Sequence, residues 1–350
     1  MHAIIMAGGK GERLWPKSTK GRAKHVLAFG TKNVMIHETI KRLRQYLPTK
    51  NIFLVTTRKQ YPVLKPYIST LAKGNIILEP EGKDTACAIC LAELIIEKRF
   101  GSSMTVVMPS DHIIGDSGLF FKNLRFAEKI ANSDSSLVTI GIVPKYPSTG
   151  YGYIKTGKGS GCYYTVKKFI EKPAQKKAEK LCMCRQGECF WNSGIFVWKT
   201  DSILTAIKRH MPDLYYSLKD IVKLEQKRGF TERLKASYSG LRPLSIDYGV
   251  IEPVATNKTQ QIFCVKAEFD WVDIGSWSSI EEIYDKDDRG NIILSNSTLI
   301  DVKNCTIIGE RGHKIGAIGI SDLIIVQTKS GTLVCKRNRA QEVKKLVEKF

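Results

Sequence analysis

Three sets of residues in this chain have the types and spacing to handle phosphate, a divalent metal and a polyol. The first is HAIIMAGG (His2 to Gly9), followed by KGERLWP and by KSTKGRAKHVL. An apolar, β-prone run ending at Ala7 opens into Gly8, Gly9 and Gly11, where bare backbone N–H groups can approach phosphate oxygens, and Arg13 and Lys24 add positive charge. The second set is two aspartates far apart in sequence, Asp111 in MPSDHII and Asp273 in FDWVDIGSW, each following a strand-like run. A carboxylate at the end of a buried strand is costly without a partner. Mg²⁺, which takes one or two protein carboxylates plus substrate phosphates, would satisfy both. The plain alternative for Asp111 is a loop residue capping the next helix.

The third set is polar and scattered. In KKFIEKP, Glu171 and Lys172 precede Pro173; adjacent side chains on a strand point to opposite faces, so both reach one ligand only if the strand ends or bends there. A glutamate suits sugar hydroxyls and a lysine is a point charge for a monophosphate. Asn192 stands before Gly194 in WNSGIFVW, and Gly150 and Gly152 flank Tyr151 in STGYGYI, offering backbone contact with a hexose. Asp247 in SIDYGVIE reads equally as helix cap or sugar ligand. In EPEGKDTACAI, the strand ends at Glu79, Gly82 turns, and Asp84 and Thr85 open a helix; a carboxylate there could accept guanine's N1–H and N2–H₂, although capping is the simpler role for Asp84.

The elements that must position these residues alternate. HAIIMA, Asn51 to Thr57, Asn75 to Pro80, Met104 to Ile114 and Leu137 to Val143 read as strands, separated by helical patterns such as VMIHETIKRLRQYL and DTACAICLAELIIEK. That order implies parallel pairing with right-handed crossovers and ligands beyond the carboxyl ends of the strands. After Pro144 come mixed strands, then helices around Asp201 to Arg228. From about Asp285 the texture changes to short strands broken by Gly, Asn, Asp and Ser, as a β-helix or small β-roll produces, closed by a helix in AQEVKKLVEKF. The expected architecture is therefore α/β: a Rossmann-like mixed, mainly parallel sheet flanked by helices over 1–284, and a small β-helix-like domain over 285–350.

The composition narrows the function classes. The 350 residues are 43% hydrophobic, enough for packed cores, and 55 basic against 34 acidic residues give a net charge of +21. The lysines are dispersed among acids at helical spacings, which reads as a solvated surface with no specific nucleic-acid partner. Charged Lys10, Glu12 and Arg13 interrupt any signal peptide, and no window approaches a membrane span, so the expected location is the cytosol. Nine cysteines fall at irregular spacings, and the cluster Cys182, Cys184 and Cys189 lacks the C-x₂-C pairs of a zinc site, so reduced thiols are expected.

Two familiar loops do not fit the N-terminus. The dinucleotide fingerprint wants a glycine where Leu14 stands, and no G-x-x-x-x-G-K-[ST] string follows the first strand. What remains, G-G-x-G-x-R-L-x-P with a lysine eleven positions after Arg13, resembles the signature of sugar-1-phosphate nucleotidyltransferases; taken alone the glycines could be just a tight turn. The ordered set GGKGERLWP, AKHVL, EPEGKDTACAI, MPSDHII, TGYGYI, FIEKP, WNSGIF, SIDYGVIE and FDWVDIGSW, over about residues 2 to 280, resembles the mannose-1-phosphate guanylyltransferase family, with SDLIIVQTKSGTLVCK extending the likeness into the tail.

The resemblance implies a nucleotidyltransferase that joins GTP and mannose 1-phosphate into GDP-mannose and pyrophosphate. It implies catalytic roles for Arg13, Lys24, Asp111 and Asp273, with Mg²⁺ on the two aspartates. Nucleotide contacts would come from Ala7, Gly8, Gly9, Gly11, Glu79, Gly82, Asp84, Thr85 and Ser110, and sugar phosphate contacts from Tyr151, Gly152, Glu171, Lys172, Asn192 and Asp247. The chain departs from the family pattern around the lysine, where a proline is replaced by Ala23 and a glutamine by His25, and at Lys83, Asp84 and Cys87. These departures leave open a relative that uses UTP or dTTP with glucose 1-phosphate. A non-catalytic homologue should have lost Lys24 or a metal aspartate. The β-rich tail offers a surface for a homodimer.

Overall fold

A computed structural model describes residues 1–350 except Asp134 and Gln186. The chain forms two compact units that interleave in sequence: Met1–Gly8, Ile40–Ser110 and Ile114–Trp271 make the first, and Gly9–Thr39, Asp111–Ile113 and Val272–Phe350 the second.

The first unit is built on a nine-stranded mixed sheet with helices. In chain order the strands as far as Asp273 are β1 (His2–Met6), β2 (Ile52–Thr57), β3 (Ile76–Glu79), β4 (Met104–Pro109), β5 (His112–Ile114), β6 (Leu137–Ile142), β7 (Tyr153–Gly159), β8 (Tyr163–Ile170), β9 (Cys189–Lys199), β10 (Ile262–Lys266) and β11 (Trp271–Asp273). The sheet runs β3-β2-β1-β4-β9-β6-β10-β8-β7. The β3-β2-β1-β4 half is parallel, as the strand–helix alternation requires. Beyond β4, however, β9 enters antiparallel between β4 and β6, a long-range insertion that local periodicity does not reveal. Strands β2 and β6 are buried along their whole length, as the apolar runs that form them demand. The helix Asp84–Phe100 buries every residue from Ala86 to Ile96 and stops at Gly101 with φ +70°, a conformation glycine tolerates.

That helix carries Glu93 into the core. Its Oε1 accepts hydrogen bonds from Trp198 Nε1 (2.7 Å) and Thr105 Oγ1 (2.8 Å), while Oε2 has no hydrogen-bond partner.

The Met104 to Ile114 run, expected as one strand, is two. Pro109 ends β4, and β5 leaves the large sheet to pair with β11 in a two-stranded ribbon.

In the second unit the tail winds as expected into short coils, with β12 (Ile292–Leu294), β13 (Asn296–Ile300), β14 (Thr306–Gly309), β15 (Lys314–Ile318), β16 (Leu323–Thr328) and β17 (Gly331–Lys336). Successive coils stack in parallel, β12-β14-β16 on one face and β13-β15 on another, with β17 closing the first face antiparallel. Ile292 pairs with Thr306 and Thr306 with Ile324, so the coils differ in length, which is why no fixed period is visible in the sequence. The terminal helix Val343–Val347 packs Val343 with Ile324, Val326 and Leu333.

Reduced thiols are not found throughout. Cys184 and Cys189, whose Cα atoms lie 5.9 Å apart and so within disulfide span, are joined as a disulfide, whereas Cys182 and six others are free. Among the described residues no helix is long and apolar enough to cross a membrane.

Burial pushes the Glu93 carboxyl up to about 7 from 4.5. Between those values the folded chain holds a proton that the unfolded chain has released, so rising pH removes stability, with the full penalty above about 7. Glu93→Gln should flatten this slope and, at pH 8, gain stability of order 3 kcal/mol over wild type; denaturant unfolding at pH 5 and pH 8 measures both effects.

Candidate functional site

The predicted residues fall into two clusters, one in each unit. The second unit holds Gly9, Gly11, Arg13, Lys24, Asp111 and Asp273. Pairing of β5 with β11 brings the two aspartates together although 162 positions separate them. Lys24 Nζ donates to both, at 2.9 Å to Asp111 Oδ2 and 3.1 Å to Asp273 Oδ1. Burial opposes both charges, yet the lysine is held above its ordinary value by the two carboxylates, and Asp111 is held well below the carboxylate range by Lys24, His25 and His112.

The glycine loop reaches the same place. Gly11 sits at φ +70°, and a Cβ there would overlap the Cβ of Lys24, so only glycine lets the loop lie this close to the lysine. Arg13 Nη1 donates to the Gly275 carbonyl (3.4 Å), two residues beyond Asp273. The loop is clamped from behind: Trp277 Nε1 donates to the Trp15 carbonyl (2.8 Å), Thr328 Oγ1 to that of Pro16 (3.4 Å), and Phe350 packs on the Trp15 ring at 5.0 Å between centroids.

Two histidines join this cluster that were not among the expected site residues. His25 is buried, donates through Nε2 to the Gly9 carbonyl (2.9 Å), and brings Nδ1 to 3.8 Å from Asp111 Oδ2, so the residue that departs from the family pattern ties the loop to a carboxylate. His112 Nε2 lies 3.8 Å from Asp273 Oδ1. Asp111, His112 and Asp273 each place one donor atom within 4.8 Å of the others, an oxygen, nitrogen and oxygen set that fits a divalent cation. Its place directly after Asp111 in MPSDHII was the available signal for His112.

The first unit holds the remaining residues. Ala7 is tied into the sheet, donating to the Val55 carbonyl (2.8 Å) and accepting from Thr56 Oγ1 (2.7 Å), and buried Ser110 donates to the Met6 carbonyl (3.1 Å). Glu79 ends β3 with its carboxylate facing exposed Gly8. Burial pushes this carboxyl up to about 8, partly opposed by the hydrogen bond from Tyr238 Oη (3.3 Å). Gly82 is exposed. Asp84, at φ +65°, takes the Thr85 N–H on Oδ1 (2.7 Å), an end-of-helix donor, while Thr85 Oγ1 accepts from Ile246 N–H (2.9 Å).

Strand register assembles the polar set. Tyr153 pairs with both Ile170 and Trp191, so Gly152 before β7, Glu171 after β8 and Asn192 within β9 arrive side by side. The Asn192 N–H takes the Gly152 carbonyl (2.8 Å), which is thereby engaged within the sheet instead of facing outward. A Cβ on Gly152 would strike Glu171 Oε2. The chain bends after β8: Lys172 adopts φ +39° and its Nζ meets Glu171 Oε1 at 2.6 Å, so both side chains share one side. A bulge at Gly194 turns Asn192, whose Nδ2 donates to Asp247 Oδ1 (2.7 Å). Asp247 opens a π-helical turn and makes no cap; burial and then the nearby Glu171 charge raise it to about 6. The Tyr151 ring packs edge-on against Trp191 and Trp271 at 5.0 and 5.3 Å.

Known proteins share this organisation. The family model described as nucleotidyl transferase matches residues 2–290, and that described as MannoseP isomerase/GMP-like beta-helix domain matches 295–350. Mannose-1-phosphate guanylyltransferases of Klebsiella pneumoniae and Escherichia coli are each 35% identical over 352 residues, covering 99% of this chain and 73% of theirs. A solved Thermus thermophilus structure, described as a mannose-1-phosphate geranyltransferase, aligns with TM-score 0.87 at 30% identity, over 99% of this chain and 98% of that one.

Ala23 holds φ −65° and ψ 157°, the backbone that proline imposes. Ala23→Pro should therefore be accepted without strain and stabilise the protein by about 0.4–1 kcal/mol through the unfolded state, measured as a higher denaturant midpoint with an unchanged m-value.

Proposed function

The chain belongs to the mannose-1-phosphate guanylyltransferase family of nucleotidyl transferases, and from that premise we propose that it transfers GMP from GTP to α-D-mannose 1-phosphate, releasing pyrophosphate, with Mg²⁺ on Asp111 and Asp273. The observation that carries this reading is the convergence of Lys24, Arg13 and the Gly9–Gly11 loop on a carboxylate pair in need of cationic charge.

Loop N–H groups, Arg13 and Lys24 hold the triphosphate, Lys24 on the side of the α-phosphate. The metal, when bound, supplies neutralisation of the phosphate charge. Asn192, Asp247 and Glu171 accept and donate hydrogen bonds at mannose hydroxyls, Lys172 holds the sugar phosphate, and the aromatic packing of Tyr151 fixes the backbone beside Gly152. The sugar phosphate is already ionised at neutral pH, so its oxygen attacks the α-phosphorus in line without a general base, and pyrophosphate leaves. Catalysis is positioning and charge stabilisation. Glu79 supports guanine: its carboxyl, near its midpoint at neutral to mildly alkaline pH, ionises when N1–H and N2–H₂ donors approach. Gly8, Gly82, Asp84, Thr85, Ala7 and Ser110 complete the nucleotide's surroundings as backbone or end-of-helix groups.

Three further assignments belong to this reading. The module boundary lies at 284/285, supported by family matches that end at 290 and begin again at 295. Exposed Ile318 and Val334 on the β-rich tail support self-association there. Seven free cysteines against the single Cys184–Cys189 disulfide, among the described residues, support a mainly reducing, cytosolic setting.

Pyrophosphate release, measured with GTP or UTP against mannose 1-phosphate or glucose 1-phosphate in Mg²⁺, should be fastest for GTP with mannose 1-phosphate. Preference for UTP and glucose 1-phosphate would replace this reading by the related uridylyl-transfer one. Arg13→Ala should lower turnover about 10²- to 10³-fold with the fold intact by circular dichroism; near-normal turnover would remove Arg13 from the machinery.

A further inference from the structure

Lys24 stands where a divalent cation would have to balance charge. Its ammonium bridges Asp111 and Asp273 at 2.9 and 3.1 Å, and these are the carboxylates that, with His112, form the donor set described above. The side chains involved are largely shielded from water, at 10% exposure for Lys24, 14% for Asp111 and 26% for Asp273. Two carboxylates so close and so dry repel each other and cannot both stay ionised without a cation. A metal ion on the same oxygens would meet the ammonium as a like charge at short range, where repulsion is poorly screened. The pair therefore needs one cation, and the lysine and the metal compete to be it.

We infer that Lys24 is the resident counterion of the metal-free protein, and that its ammonium leaves the carboxylates when the metal binds. The inference rests on the metal reading proposed above. The backbone is suited to such an exchange. Lys24 is fixed at its Cβ against Gly11, and the next residue, His25, is bonded to the Gly9 carbonyl, so the main chain stays anchored to the glycine loop while side-chain torsions alone carry Nζ away. The same four-carbon stem that reaches the aspartates can then reach phosphate held on that loop. The charge between the carboxylates is never missing, and the lysine becomes available to the triphosphate only as the metal arrives.

The test is Mn²⁺ binding to the full chain without nucleotide, read from the free-ion electron paramagnetic resonance signal, with the thermal shift caused by Mn²⁺ as a second readout. Lys24→Met should bind Mn²⁺ at least about tenfold more tightly than wild type, and show a larger Mn²⁺-induced rise in Tm. Lys24→Gln serves as a second neutral variant should the Met protein fold poorly, and Lys24→Arg, which keeps the charge, should stay within about threefold of wild type. Equal affinity in wild type and the neutral variants, with Asp273→Asn abolishing binding, would overturn the exchange and leave the metal reading standing. No Mn²⁺ binding that Asp273→Asn removes, in any variant, would overturn both.

Discussion

The second unit is organised around a charge problem, that of holding two carboxylates close together in a place with little water. Asp111 comes from the break between β4 and β5, and Asp273 from the end of β11. Their approach is tolerable because Lys24 enters between them. The lysine can enter only because Gly11 has no side chain and because His25 fixes the following turn on Gly9. Each neighbouring feature, including the ribbon, the left-handed glycine and the buried histidine, is a geometric condition for that one compensation. Loss of the lysine itself would leave two close, poorly hydrated carboxylates without their cation, a costly defect.

The first unit solves a different problem by register. The pairing of Tyr153 with Ile170 and Trp191 sets Glu171 and Asn192 level on either side of Gly152, so two polar side chains flank a residue that has none. Burial first, and then the like charge of Glu171, raise the Asp247 carboxyl to about 6, so that it holds a proton below that pH. Asn192 bridges toward Asp247 and so orders the set before any ligand is present.

Much of this was legible in the sequence. The strand before the glycines, the helix from Asp84, the coils after Asp285 and the two aspartates follow from local chemistry, because apolar period, turn residues and strand-end carboxylates are all local signals. The bend at Lys172 was foreseen as a condition, since adjacent residues cannot otherwise share a face. Less legible were features fixed by distant partners. The entry of β9 between β4 and β6 depends on pairing across 49 to 95 positions. The split of the Met104 to Ile114 run depends on β11, which lies far down the chain. His112 looked like a neighbour of Asp111, and only the ribbon reveals that its ring meets Asp273. The Cys184–Cys189 disulfide is a matter of proximity that spacing alone does not reveal.

The clamp behind the glycine loop bears on how the molecule is made. Residues 9–39 share a compact unit with residues 272–350, and Trp15, Pro16 and their neighbours are held by Trp277, Thr328 and Phe350. During synthesis the loop leaves the ribosome well before the side chains that fix it, Trp277 following Trp15 by 262 positions and Thr328 following Pro16 by 312. Until those residues are made, this lysine- and arginine-bearing segment lacks the clamp. The loop is fixed in place only as these later coils wind and close over a segment made hundreds of residues earlier.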